Sequence, residues 1–168
     1  AAGHAVARPG GVGHDHAETQ AAAMTIASAG TIANPVIVIC GNDGATPPTT
    51  AATTASVTTT GANAISTTGS MQVYGVIFNS GTGAVNAGIN LITATGVNAA
   101  LWLESCALNM LATSTTNHLT VGGTRAGYLS MRDCTVRFSN VACQFKLDAV
   151  RFEMIGGSIA ATGSVPTT

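Results

Sequence analysis

Two stretches decide the fold: Leu101-Trp-Leu-Glu-Ser-Cys-Ala-Leu108 and Leu129-Ser-Met-Arg-Asp-Cys-Thr-Val136. In each, apolar residues alternate (Leu101 and Leu103, Leu129 and Met131). Two residues then intervene, and alternation resumes out of phase at Cys106 and Leu108, or Cys134 and Val136. Alternation places one set of side chains on one face of a strand. The shift in phase fits a sharp corner between two strands whose apolar sides both stay inward. Working outward, Met71-Gln-Val-Tyr-Gly-Val-Ile-Phe78 and Phe152-Glu-Met-Ile-Gly-Gly-Ser-Ile159 carry the same pattern. The four segments begin at intervals of 30, 28 and 23 residues, an internal repeat in the solenoid range.

Each interval holds a further alternating run, with Ile89 and Leu91, Leu119 and Val121, and Phe145 and Leu147 in matching places. One repeat is therefore about three short strands joined by corners of Gly, Asn and Ser. A single such coil buries nothing and leaves its backbone groups unpaired. Stacking coils about 4.8 Å apart pairs every strand with its equivalent above and below. The expected fold is all-β, a right-handed parallel β-helix of coils of about three strands. Its interior columns are Met71, Leu101, Leu129 and Phe152, and Phe78, Leu108, Val136 and Ile159. Outside, Glu104 falls opposite Arg132 as a ladder ion pair. The alternative is an antiparallel β-sandwich or jelly roll, which shares short strands and Gly-rich turns but predicts no equivalent columns at a recurring interval.

Upstream, Val36-Ile-Val-Ile39 reads as a strand. Gly41-Asn-Asp-Gly44 and Thr46-Pro-Pro48 read as turns. The Thr-rich stretch 49–68 reads as strands because it is β-branched and carries Val57 and Ile65. Only His16 to Met24 offers a turn or two of helix. Residues 1–20 are expected to form an N-terminal arm or an incomplete first coil, and 21–168 the β-helix domain.

Composition narrows the function. Only 8% of the 168 residues are charged, against about 25% in ordinary globular domains. The net charge is −1 and the pI about 6.4, which gives no electrostatic footprint for nucleic acid. No run approaches the roughly 18 apolar residues of a membrane helix. A surface this poor in charge implies a cover, most simply another copy of the chain.

Groups able to carry chemistry are sparse. The seven acids are Asp15, Glu18, Asp43, Glu104, Asp133, Asp148 and Glu153, and no two of them align on adjacent coils. Hydrolysis or elimination on a polysaccharide needs paired acids or a calcium cluster. No catalytic residue and no cofactor is therefore expected. His14 and His16 flank Asp15 and share one side of a strand, a weak metal candidate that needs a further ligand such as His4 or His118. Cys40, Cys106, Cys134 and Cys143 match no zinc spacing and read as reduced core thiols, which implies synthesis in the cytoplasm.

The pattern from Met71 to Ile159 resembles the right-handed β-helix of pectate-lyase-like proteins and of tailed-bacteriophage fibres and spikes. Asp15-His-Ala-Glu-Thr-Gln-Ala-Ala-Ala-Met-Thr-Ile26 and Ala33-Asn-Pro-Val-Ile-Val-Ile-Cys40 look like the opening coils of such phage structural proteins. The resemblance covers about residues 15–160 and carries no catalytic motif. It implies a virion-surface protein, made in the host cytoplasm and trimeric. The short chain points to a capsid decoration protein that contacts other virion proteins such as the major capsid protein. The alternatives are a tail-fibre or spike segment that binds host-surface glycans, with Trp102 and Tyr74 as its outward aromatics, and a carbohydrate-active enzyme.

Overall fold

The computed structural model describes residues 13–14, 17–41, 50–83, 87–93, 98–112 and 118–161. Among them there is no helix. The chain winds through three strands per coil, and each strand lies beside its equivalent one coil away. The first coil holds β1 (Gly13–His14), β2 (Ala17–Gln20) and β3 (Met24–Ala27). The second holds β4 (Val36–Gly41), β5 (Ser56–Thr59) and β6 (Ile65–Thr68), and the third β7 (Met71–Tyr74), β8 (Ile77–Asn79) and β9 (Ile89–Leu91). The fourth holds β10 (Ala99–Glu104), β11 (Ala107–Met110) and the start of β12 (Leu119–Arg132). The fifth takes the rest of β12, β13 (Thr135–Phe138) and the start of β14 (Phe145–Ile155). The rest of β14 and β15 (Ser158–Ala161) begin a sixth.

All pairings between these strands are parallel, which excludes the antiparallel sandwich for the described residues. One face stacks β1, β4, β7, β10 and the second halves of β12 and β14. A second face stacks β2, β5, β8, β11, β13 and β15. The third stacks β3, β6, β9 and the first halves of β12 and β14. Because β12 and β14 each run through a corner and stay paired on both sides of a register shift between Gly122 and Gly127, the first and third faces join into one curled nine-stranded sheet.

The register stacks like on like. On the first face Leu101 pairs with Met71 above and Leu129 below, and Leu129 with Phe152. On the second face Leu108 pairs with Phe78 and Val136, and Val136 with Ile159. Leu119 joins Ile89 to Phe145 on the third. Met71, Leu101, Leu129, Phe78, Leu108 and Val136 are buried, each contributing about 1.5–3 kcal/mol. Phe152 is half-buried. Ile159 departs from the expected interior position: it keeps its register with Val136 but is 45% exposed. Its coil has no neighbour on the far side among the described residues, so its inward face is open.

A repeated backbone device makes the phase shift. Gly75, Ser105, Asp133 and Gly156 follow the ends of the first-face strands, and all four have φ between 50° and 75°. One left-handed residue swings the chain onto the second face, so that Val76, Cys106 and Cys134 point inward again. Glycine enters this conformation freely, whereas Ser105 and Asp133 carry a steric cost there. The corners hydrogen-bond between coils, from Gly75 N–H to Glu104 O, Ser105 N–H to Arg132 O and Asp133 N–H to Ile155 O. Buried hydroxyls complete other corners. Ser70 Oγ accepts from Ala100 N–H, Ser80 Oγ from Leu111 N–H, and Thr67 Oγ1 from Ile92 N–H.

One sequence expectation changes near the N-terminus. Ala17–Gln20 is strand β2, where a turn of helix was expected, because pairing with Ser56–Thr59 outweighs local preference. With β1 on Cys40 and Gly41, β1 and β2 belong to the first coil.

Candidate functional site

The outward side chains of the first face come closest to a built site. Strand alternation sends Ile37, Gln72, Trp102, Ser130 and Glu153 outward in one register column. Ile39, Tyr74, Glu104, Arg132 and Ile155 form a second column beside it. The chain returning toward β5 pairs Ala51 antiparallel with Gly41, and Ala52 N–H donates to Cys40 O. This adds a wall beside the sheet. The result is a concavity of about 540 Å³ lined by Gln72, Tyr74, Trp102, Glu104, Ser130 and Arg132, among others. That volume lies within the range of small-molecule sites.

Aromatic packing fixes one rim. Trp102 meets Tyr128 edge-on, with ring centroids 6.1 Å apart. The Arg151 guanidinium lies 5.8 Å from the Tyr128 ring centroid, a cation–π distance. The Tyr128 hydroxyl donates to Glu153 Oε2 at 2.7 Å. Trp102 is only half-buried, as is Tyr74. Sequence reading named Trp102 and Tyr74 as outward aromatics and missed Tyr128. Its signal was present in the alternation Tyr128, Ser130, Arg132, which extends the outward set one step back from Leu129.

The carboxylates stand apart from one another. Glu104 lies between Tyr74 and Arg132, Glu153 beside Ser130, Asp148 beside Gly122, and Asp133 Oδ1 against Gly156. Among the described residues no two acids are register partners.

The thiols are interior. Cys106 and Cys134 are buried one above the other at the repeated corner, each near backbone carbonyls of its own and the preceding coil. A hydrogen bond between the two thiols, with burial, pushes the Cys106 thiol far above the ordinary range, while the same bond lowers Cys134. All four cysteines carry thiols and none is in a disulfide.

The metal candidate is not assembled by the described residues. His14 lies in β1 of the first coil, whereas His118 precedes β12 in the fourth and accepts a hydrogen bond at Nδ1 from Gln144 N–H. Three coils separate them, about 14 Å at the stacking distance. His4 and His16 lie outside the described residues. Among those described, no three His, Cys, Asp or Glu side chains are grouped to hold a metal ion.

No known protein family matches the chain, and no curated protein or solved structure matches it significantly.

Proposed function

We propose that this chain is a non-catalytic structural protein, a right-handed parallel β-helix that decorates a bacteriophage head. It assembles as a homotrimer and docks on other virion proteins such as the major capsid protein. The right-handed winding follows from the preference of parallel crossovers for that hand.

The observation that carries the reading is the set of apolar side chains left exposed on a charge-poor exterior, in a chain of which only 8% of the residues are charged. Ile32, Val141, Leu147, Ile155 and Ile159 are 45–49% exposed, and Phe152 and Met154 are only partly covered. Large apolar side chains exposed on a surface poor in charge mark an interaction surface. The charge-poor exterior agrees, since little electrostatic repulsion opposes close packing of copies.

The test is the state of assembly. Light scattering should return a mass three times that of the chain, and Leu147→Lys with Ile159→Lys should shift it to the monomer while the melting temperature stays close to that of the parent. A monomer at every accessible concentration, with no binding to capsid particles, would sink the reading.

A further inference from the structure

The two stacked thiols have no part in the assembly reading, yet the fold places them where they can react with each other. We propose that Cys106 and Cys134 form a reversible disulfide on exposure to a peroxide, stapling the fourth coil to the fifth.

The stack sets their spacing. Ala55, Val76, Cys106, Cys134 and Gly157 follow one another in a single corner column. Ile77 N–H donates to Ala55 O, Ala107 N–H to Val76 O, Thr135 N–H to Cys106 O and Ser158 N–H to Cys134 O. Cys106 and Cys134 are therefore successive, with Cα atoms about 4.8 Å apart, inside the range that a disulfide spans. Both point into the core, and neither residue is more than 2% exposed. Cys134 Sγ lies 3.4 Å from Leu103 O, so it leans toward the coil that carries Cys106. Cys106 Sγ leans the same way, 3.5 Å from Val73 O, and a turn about χ1 brings it back toward Cys134. Only thiol–carbonyl contacts are lost in that turn, and S–H is a weak donor.

The other two cysteines stand apart from this pair. Cys40, near the end of β4, is two coils before Cys106, about 9.6 Å at the stacking distance and beyond disulfide reach. Cys143 precedes β14, at the corner between the second and third faces.

A peroxide supplies the oxidising equivalents. Cys134, whose proton affinity is lowered by the hydrogen bond from Cys106, attacks one peroxide oxygen as the thiolate. The O–O bond breaks, Cys134 becomes a sulfenic acid, and the departing hydroxide takes up the proton that Cys134 lost. The Cys106 sulfur then attacks Cys134 Sγ and the S–O bond breaks. The second hydroxide leaves with the Cys106 proton. Two thiols are oxidised by two electrons, and the peroxide is reduced to two waters. Hydrogen peroxide is small and neutral, so local opening of the stack admits it. Gly157, next in the column, lays no side chain over Cys134.

The parent protein is incubated with a small excess of hydrogen peroxide, then denatured, and its thiols are counted. The four thiols should fall to two, with the Cys106 and Cys134 peptides joined within one chain in a non-reducing mass map. The closed loop restricts the unfolded chain, so the melting temperature should rise by about 5–10 °C and return on adding dithiothreitol. Cys134→Ala should show no rise. Cys40→Ala with Cys143→Ala should rise as the parent does and lose both of its remaining thiols. If Cys134→Ala does not fold, the thiol count and mass map of the parent still decide. Four results would overturn the proposal: four thiols surviving in the parent, a cross-link between chains or to Cys40 or Cys143, oxidation that stops at an acid of Cys134, or a disulfide that leaves the melting temperature unchanged.

Discussion

The fifth and sixth coils share one pattern and one register, yet they differ in what they bury. Leu129, Met131 and Val136 are sealed, whereas their partners Phe152, Met154 and Ile159 are half-buried or exposed. Sequence accounts for part of this, since Gly157 and Ala161 stand where the fifth coil has Cys134 and Phe138. The rest is the neighbour: among the described residues, the first- and second-face strands of the fifth coil are paired on both sides and those of the sixth on one side only. Burial in a solenoid belongs to the stack, and each coil covers the next.

Substitution at equivalent positions should magnify the contrast. Leu108→Asp places an unpaired charge between Phe78 and Val136, and a loss of about 5 kcal/mol or more should prevent folding. Ile159→Asp, in the same column but at the open edge, should cost less than about 1 kcal/mol. Chemical denaturation of the two variants checks this. Equal losses would mean that the edge is covered within the chain itself.

The corners offer a smaller contrast. A Cβ added at Gly75 would press on Ala52 O, and φ there is +75°. Gly75→Val should cost about 2 kcal/mol or more. Ser105→Gly, one coil further on at the equivalent corner, should leave thermal stability within about 1 kcal/mol, because glycine relieves the positive φ while loosening the unfolded chain. If both substitutions destabilise alike, the corner is not held by backbone conformation.

Inside against outside gives a third test. Trp102→Ala removes an outward ring whose edge-on contact with Tyr128 is worth about 0.5–1.5 kcal/mol, whereas its inward neighbour Leu103→Ala should cost about 2–5 kcal/mol. Thermal melts that rank them the other way would put the strand in the wrong register.

The smallest effect concerns pH. Burial first, and then Lys146, lower the proton affinity of His118 below that of a free imidazole. The unfolded chain therefore binds this proton more readily than the folded one. The stability contribution is complete above about pH 6.5 and declines as pH falls toward the lowered value. Denaturation at pH 7.5 and 5.0 should show the decline, and His118→Gln should make it shallower.

Much of this architecture was legible because two signals coincide in the sequence. Alternation marked the strands, and the two-residue step at Tyr74-Gly75, Glu104-Ser105 and Arg132-Asp133 marked the corner that keeps apolar residues inward. Other features could not be read in that way. The strand Ala17–Gln20 carries no apolar alternation, and only its pairing with β5 makes it β. The exposure of Ile159 depends on a neighbour that its own residues do not specify. The groove is assembled from four coils, with the returning segment at Ala51, so Tyr74, Trp102 and Arg132 become neighbours only through the stacking register. Nothing in the pattern singles out Ser70, Ser80 and Thr67, yet their hydroxyls are buried acceptors for corner amides.

Coil-by-coil register is the central claim, and engineered cysteines on the third face measure it most directly. Asn90 and Thr120 are register partners on adjacent coils, and Thr120 pairs in turn with Lys146. Adjacent coils bring Cα atoms to about 4.8 Å, within disulfide reach, while a two-coil separation of about 9.6 Å lies beyond it. Under mild oxidation, Asn90→Cys with Thr120→Cys should form an intramolecular disulfide, located by peptide mass mapping. Asn90→Cys with Lys146→Cys should remain reduced. A cross-link in the second pair, or its absence in the first, would contradict the stacked parallel coil.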